Sequence, residues 1–295
     1  MKQPKTEKIF LIVNRYAGHK EGEKAVEFVI PFLKDNGYLT EYSYTDKPGH
    51  ATELASKASI DGFDLVVAVG GDGTVNEVAQ GLIGTCTPMG IIPMGSGNGL
   101  ARELGISMDM RKSTLSLVKG KNLQLDVCKL NDQRFLCTSG IGFDAMIADK
   151  MSKAASRGFL KYVQLVVQES IFFKPIFVKL KVDGLLIEEA VFLITFANAS
   201  QFGNNAFIAP GASMTDGLID VVIVRKFAKI WMPLFAIALF SKFIPKLPFV
   251  DCYKAKLIEL ELADTPYFHF DGEPGKLNIP AKIGVDEEKI WVRCV

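Results

Sequence analysis

A glycine-rich stretch, Gly70-Gly71-Asp72-Gly73-Thr74, follows the apolar run Leu65 to Val69 and precedes a segment with helical periodicity. Glycines in a strand-to-helix turn let the backbone approach a bound group closely. Free N–H groups at a helix start favour an anion, phosphate above all. The turn is not a Walker A loop, because no Lys-Ser or Lys-Thr follows the glycines. Nor is it the dinucleotide fingerprint, because Asn76 stands where the third glycine belongs. A carboxylate at Asp72 repels phosphate unless a cation lies between them, which points to a magnesium nucleotide. The plainer alternative is an ordinary β-to-α turn with Asp72 in solvent. A second glycine loop, Gly95-Ser96-Gly97-Asn98-Gly99, repeats the device further along the chain.

The stretch from Phe268 to Pro274 is the other candidate for chemistry. Read as extended, it sets Tyr267, His269, Asp271 and Glu273 on one face and Phe268 and Phe270 on the other. Two carboxylates on one face repel, which raises one pKa or holds a cation or proton between them. That suits a general base beside a cleft. Solvated acids at a strand end fit the same residues equally well. Asp216, in the turn-rich loop Ala209 to Leu218, could meet a hard cation together with nearby carbonyls, although Asp-Gly is more often a plain turn.

Such residues need elements to hold them. Thr74 and Glu77 have capping-box spacing, Val75, Val78, Ala79, Leu82 and Ile83 share one helical face, and Gly84 supplies a stop. The unbroken apolar run at Leu65–Val69 predicts a strand buried on both faces. Strands are also expected at Lys8–Val13, Leu39–Tyr44 and Met89–Met94. Helices are expected at Glu23–Asn36, with Pro31 as a kink or break, at His50–Ile60, and briefly up to Leu104. The alternation predicts an α/β fold with a doubly wound parallel sheet. Asn14, Thr45, Gly70–Thr74 and Gly95–Asn98 then lie at strand carboxyl ends, where such sheets bind ligands.

Near Asp126 the pattern changes. Strands are expected at Leu125–Leu130, Arg134–Thr138, Ile176–Val182, Glu189–Phe196, Leu218–Val224, Tyr253–Leu262, Tyr267–Asp271 and Lys289–Cys294, with a helical segment at Ala145–Gln168. Hairpin signals at Asn131-Asp132-Gln133 and Asp183-Gly184 make this part antiparallel. Two domains follow, residues 1–126 and 127–295, the last strand being a candidate for return to the first domain.

Composition narrows the function. A net charge of +1 over 295 residues offers no electrostatic case for nucleic acid. Five scattered cysteines without a CxxC pair argue for a reducing compartment and against a zinc site. The expected location is cytoplasmic, since the N-terminal apolar run is only strand-length and Ile230–Phe240 is too short to span a bilayer. Lys150, Lys153, Arg157 and Lys161 share a helix side, and Arg225, Lys226, Lys229, Lys242 and Lys246 flank the Ile230–Phe240 run. Such groups suit docking on an anionic bilayer, or are simply solvated.

Five motifs stand in order: Gly70-Gly71-Asp72-Gly73-Thr74 with Asn76-Glu77; Gly95-Ser96-Gly97-Asn98 with Ala101-Arg102; Gly140-Ile141-Gly142-Phe143-Asp144; Asp216-Gly217-Leu218; and Asp271-Gly272-Glu273. On these the chain resembles the bacterial soluble lipid kinases with a diacylglycerol-kinase-type catalytic domain, related to sphingosine and ceramide kinases. The resemblance implies a nucleotide-binding α/β domain, a β-sandwich domain for the lipid substrate, and a cleft between them. It implies ATP at Asn14, Arg15, Tyr16, Ala17, Gly18, Thr45, Gly70, Gly71, Asp72, Gly73, Thr74, Val75, Asn76 and Ser96. It implies structural Mg2+ at Asp216 with the carbonyls of Ser213 and Leu218, and Glu273 as the base with Asp271 beside it. The substrate would be a lipid alcohol at the inner membrane surface, most simply diacylglycerol, and a homodimer stays open. Two departures bear on this. Arg15 replaces the proline usual in the first loop, and Gly-Ser-Gly-Asn-Gly is closer to the sphingosine-kinase form. A sphingoid-base kinase, an NAD kinase, which also uses Gly-Gly-Asp-Gly, and a non-catalytic nucleotide or lipid sensor are the alternatives.

Overall fold

The structure is a computed structural model that describes residues 6–20, 22–154, 159–263, 267–276 and 278–294. The chain divides into two compact units, Met1–Leu125 with Glu288–Val295, and Asp126–Glu287.

The first unit runs β1 (Lys8–Val13), α1 (Ala17–Lys20), α2 (Gly22–Asp35), β2 (Leu39–Tyr44), α3 (His50–Ile60), β3 (Leu65–Gly70), α4 (Asp72–Leu82), β4 (Met89–Pro93), α5 (Gly99–Glu103) and α6 (Met110–Lys119). β1 pairs in parallel with both β2 and β3, and β3 with β4. The spatial order is therefore 2-1-3-4, and the winding reverses between β1 and β3. All six residues of β3 are buried, as its unbroken apolar run predicts. The core is built from Ile9, Leu11 and Val13 of β1, Leu65, Val67 and Val69 of β3, and Ala25, Val29 and Leu33 of α2. α2 is continuous through Pro31. α3 and α4 lie backbone to backbone at Gly81, where an added Cβ would stand 2.5 Å from the Thr52 carbonyl oxygen. α6 is a helix that the sequence reading does not place. Asp109 caps it by accepting from the Lys112 N–H, and it seats Leu117 in the core.

The second unit contains β6 (Gln133–Phe135), β7 (Thr138–Gly142), α7 (Phe143–Ser152), α8 (Phe159–Phe172), β8 (Ile176–Val182), β9 (Leu185–Ala197), β10 (Ile219–Arg225), α9 (Met232–Ser241), β11 (Val250–Ala255), β12 (Leu257–Ala263), β13 (Phe268–Phe270) and β14 (Glu273–Gly275). Two strands carry the chain between units, β5 (Lys121–Leu130) and β15 (Ala281–Cys294). Pairing within the unit is antiparallel: β14-β13-β7-β9-β8-β12-β15, with β10 joining β9 to β11. This is the β-sandwich, with Phe135, Phe196, Phe268, Ile258 and Leu180 among its buried side chains. The far end of β15 pairs in parallel with β4 at Val292 and Met89.

Three expectations change here. The helical segment Ala145–Gln168 is two helices, α7 and α8, and Arg157 lies outside the described residues. The run Tyr253–Leu262 is split at Lys256, whose N–H and that of Leu257 donate to the Asp183 carboxylate rather than to a strand. The run Arg134–Thr138 is broken at Leu136-Cys137, between β6 and β7. Apart from these, the stretch around Ile230–Phe240 contains α9. Pro233 sits in its first turn, where no backbone donor is required.

Candidate functional site

The register of the parallel sheet brings four loops to one edge. Val13 lies beside Tyr44 and Val69, and Gly70 beside Pro93. Asn14, Thr45, Gly71 and Met94 therefore leave neighbouring strands at the same carboxyl end. The winding reversal between β1 and β3 is the switch point where such sheets open a crevice. Asn14 binds across it. Its N–H donates to the Val69 carbonyl at 3.0 Å, and its Nδ2 to Thr74 Oγ1 at 3.3 Å. The Asn14 Oδ1 accepts from the Tyr16 N–H and its carbonyl from Ala17, which curls the loop towards Gly18. Tyr16 is exposed. The Arg15 guanidinium stacks 4.0 Å over the Tyr44 ring, one residue before Thr45, so the residue in the proline's usual place supplies an oriented cation at this edge.

α4 starts differently from its sequence pattern. Its cap is Gly71, with no side-chain bond, and Thr74 lies buried in the first turn. Glu77 does not reach back to its own helix. Its Oε2 accepts from the Ala51 N–H at 3.1 Å and caps α3 instead, because Gly81 lets the two helices lie close. Val75 is in the core, and its N–H closes the first helical bond onto Gly71. The N–H groups of Asp72, Gly73 and Thr74 have no carbonyl ahead of them in the helix. Asn76 is half-buried, with its Oδ1 accepting from Gln80.

Asp72 is exposed, yet its carboxylate is engaged by the second glycine loop. Its Oδ2 accepts from the Asn98 N–H at 2.8 Å and its Oδ1 from the Gly99 N–H at 2.7 Å. The carboxylate thus pins the second glycine loop and caps α5. Asn98, with φ 50°, closes that loop from within by accepting from Gly95 N–H and donating to the Gly95 carbonyl. A Cβ on Gly95 would stand 2.8 Å from the Gly71 Cα, and one on Gly97 would stand 2.6 Å from Asp72 Oδ2. The repeated glycines are there because the two loops touch. Gly73 is different, since a Cβ there would meet nothing within 4 Å. Ser96 is exposed on the same loop.

In the second unit, Asp271 and Glu273 do not share a strand face. β13 and β14 form a hairpin in which Phe270 pairs with Glu273. Its turn is Asp271-Gly272, with φ 48° and 82°, the two-residue geometry that favours Asp-Gly. The turn sends Asp271 inward and leaves Glu273 exposed, with no hydrogen-bond or ion-pair partner among the described residues. The Asp271 carboxylate accepts from Leu136 N–H at 2.8 Å, Cys137 N–H at 2.7 Å and Thr138 N–H at 3.0 Å. Burial pushes its carboxyl above the ordinary value, and these donors pull against that.

Sequence reading gave His269 and Asp144 no role in this hairpin. The buried His269 accepts from the Gly272 N–H on Nδ1 at 3.3 Å, which assigns its proton to Nε2, 3.2 Å from Asp144 Oδ2. Thr195 Oγ1 donates to the same Asp144 oxygen. Gly140 leaves room for this pair, because a Cβ there would stand 2.7 Å from Asp144 Oδ2. The Gly140-Ile141-Gly142-Phe143-Asp144 motif thus steadies the turn before Glu273.

Asp216 already has a cation, and it is an ammonium. Lys254 Nζ stands 2.8 Å from Asp216 Oδ2 and 3.1 Å from Asp220 Oδ2. Both acids hold the Lys254 ammonium charged above its usual range. Asp216 Oδ1 accepts from the Leu218 N–H, Ser213 Oγ bonds Thr215 Oγ1, and the buried Asp126 holds the Gly217 N–H at 2.7 Å. Among the described residues, no three His, Cys, Asp or Glu side chains gather as metal ligands. A structural magnesium held by Asp216 and the carbonyls of Ser213 and Leu218 would have to displace the Lys254 ammonium from the one carboxylate of this set. Binding to the folded state raises Tm. Millimolar magnesium is therefore expected to leave the Tm of the nucleotide-free protein unchanged, and Lys254→Met to make it magnesium-sensitive. A magnesium-dependent rise in the unsubstituted protein, read by scanning calorimetry, would contradict this.

Comparison with known proteins covers both units. Residues 8–130 match the family model described as the diacylglycerol kinase catalytic domain. Residues 138–292 match the one described as the YegS C-terminal NAD kinase beta sandwich-like domain. The diacylglycerol kinase of Bacillus subtilis (strain 168) is 31% identical over 221 residues, 73% of this chain and 73% of its own length. A probable lipid kinase, YegS-like, of Chromohalobacter salexigens is 27% identical over 248 residues, 82% of this chain and 80% of its own. A crystal structure of a putative diacylglycerol kinase from Bacillus anthracis str. Sterne covers 99% of this chain and 99% of that one, with a TM-score of 0.81 at 24% identity, a likeness of fold.

Proposed function

The chain belongs to the family of the diacylglycerol kinase catalytic domain, and we propose from that membership that it moves the γ-phosphate of ATP to the hydroxyl of a lipid alcohol, a diacylglycerol or a close relative. One observation carries most of the nucleotide reading. Gly73 lies at the start of α4 with open space where a Cβ would stand, so its own fold does not require a glycine there, whereas a phosphate against the helix N-terminus does. The free N–H groups of Asp72–Thr74, the loop Asn14–Gly18 with the Arg15 cation, Thr45 and Ser96 surround the same strand edge. Asp72 serves by holding the second loop in place, and Val75 and Asn76 by building the first turn of α4.

Phosphoryl transfer asks for positioning, charge stabilisation and a base at the acceptor oxygen. Magnesium would enter with the triphosphate and offset its charge. Glu273 takes the proton of the lipid hydroxyl as that oxygen bonds to the γ-phosphorus, and the bond to ADP breaks. Asp271 acts through the turn that presents Glu273.

The test is transfer of labelled phosphate from ATP to diacylglycerol, monoacylglycerol, sphingoid base, ceramide, phosphatidylglycerol and NAD. Label in a lipid supports the reading. Label in NAD alone moves the chain to the NAD kinases, in line with the NAD kinase-like sandwich family that its second domain matches. Nucleotide binding without label in any acceptor leaves a sensor.

The two glycine loops separate binding from folding. Gly73→Ala is expected to leave Tm unchanged or slightly raised, because the new methyl meets open space in a helical turn. It is also expected to raise the KM for ATP by about tenfold, roughly 1.4 kcal/mol. Gly95→Ala, colliding with Gly71, is expected to lower Tm. Unchanged KM in the first variant would remove the phosphate from this turn.

A further inference from the structure

We infer that α9 and the end of α8 form a surface that docks on a bilayer face carrying anionic lipids. α9 is apolar all round, a composition that ordinarily marks a buried helix. Only one face is covered. Phe235 and Ala238 pack into a cluster with Phe143, Phe192 and Phe249. The other face carries Leu234, Ile237 and Phe240 into water, with Ile237 64% exposed. Ile230 and Trp231 precede it in the turn before the helix, with Ile230 83% exposed, and Phe243 follows it. The Lys229 ammonium donates to the Ile171 carbonyl, which joins this face to the end of α8, where Phe172 is 79% exposed. Monomeric proteins rarely expose so continuous an apolar patch without a use for it.

The charges name the occupant. Residues 225–249 hold Arg225, Lys226, Lys229, Lys242 and Lys246 and no Asp or Glu. Arg225 pairs with Asp251, but no carboxylate pairs with Lys226, Lys242 or Lys246 among the described residues. Lys242 lies 4.3 Å over the Phe207 ring and Lys246 4.9 Å over the Phe243 ring, so these two cations stand beside aromatic rings. Apolar side chains rimmed by unpaired lysines, with a tryptophan among them, match the acyl boundary and anionic headgroups of a membrane surface. A second copy of the chain would set this cationic patch against itself, since a two-fold interface repeats the same face. No helix among the described residues is long and apolar enough to cross a membrane, so the contact is with one leaflet. The surface adds to the lipid-kinase reading the place from which the acceptor is drawn, but its test involves no phosphate transfer.

The protein is sedimented, without nucleotide, with vesicles of phosphatidylcholine alone or mixed with phosphatidylglycerol. It is expected to bind the mixed vesicles and to release in high salt. Combined Ile237→Glu and Phe240→Glu is expected to lower the partition coefficient at least tenfold with Tm unchanged, because both side chains stand in water. Combined Lys242→Glu and Lys246→Glu is expected to weaken binding to mixed vesicles and flatten its salt dependence. Absence of binding by the unsubstituted protein, or equal binding by the Ile237 and Phe240 variant, overturns the inference. So does a concentration-dependent dimer that Ile237→Glu dissolves, since the occupant is then a second copy. Vesicle binding without lipid phosphorylation upholds docking and refutes only the enzymatic reading.

Discussion

Glu273→Gln is expected to lower kcat for lipid phosphorylation by about 10²- to 10⁴-fold, the range that a positioned general base contributes. The two side chains have nearly the same shape. The Glu273 side chain is exposed and bonded to no described residue, so the substitution removes no hydrogen bond or ion pair from the fold and its effect on stability should stay within about 0.5 kcal/mol. What it removes is the capacity to accept a proton from the attacking hydroxyl. The KM for ATP should be unchanged, because the residues proposed for the nucleotide follow β1, β2 and β3, open α4 and lie in the second glycine loop, all in the first unit. Steady-state kinetics with saturating lipid, paired with a nucleotide-induced Tm shift, separate the two quantities. A glutamine variant that keeps kcat within a few-fold would show that the lipid oxygen loses its proton elsewhere.

Asp271→Ala is expected to cost about 3–6 kcal/mol of stability, from three backbone N–H groups at about 1–3 kcal/mol each, discounted because the Cys137 site is less buried. Leu136 and Thr138 are buried, so water cannot readily replace the lost acceptor. The left-handed backbone at residue 271, φ 48°, adds to the cost, since alanine tolerates that conformation less well than aspartate. A domain is commonly stable by only about 5–15 kcal/mol, so the variant should unfold at markedly lower denaturant. Asp271→Asn keeps one acceptor oxygen and should fall between the two. The midpoint of urea unfolding reads the difference. A loss below about 1 kcal/mol for the alanine variant would mean that the Asp271 bonds are not what hold this turn, and would return Asp271 to a direct part in the chemistry. The Glu273 variant loses rate without stability, whereas this one loses both.

The positions of the phosphate-type turns were legible in the sequence because they depend on local signals. An unbroken apolar run makes β3, glycines end it, and apolar spacing from Val75 to Leu82 makes α4. The same signals put Asn14, Thr45, Gly70 and Gly95 at strand ends, and the parallel register made those ends neighbours. Local spacing misled where the competing partner is remote in the chain. Thr74 and Glu77 have capping-box spacing, yet Glu77 caps α3, 26 residues back. Asp271 and Glu273 alternate like residues on one strand face, yet an Asp-Gly turn folds the segment on itself. Asp216 has the surroundings of a cation site, and the cation that arrives is Lys254, 38 residues on.

Sequence alone determined most of the elements, the α/β and antiparallel halves, and the family. Tertiary structure alone decided what each carboxylate does. Asp72 meets N–H groups 26 and 27 residues away, and Asp271 meets others more than 130 residues away. Tertiary structure also decided which face of α9 stays in water. The reason is the same in each case. Periodicity records which side chains are apolar and where the backbone can turn, but the partner of a charge, or the cover over an apolar face, is whatever distant segment the packed sheets bring within about 3–4 Å.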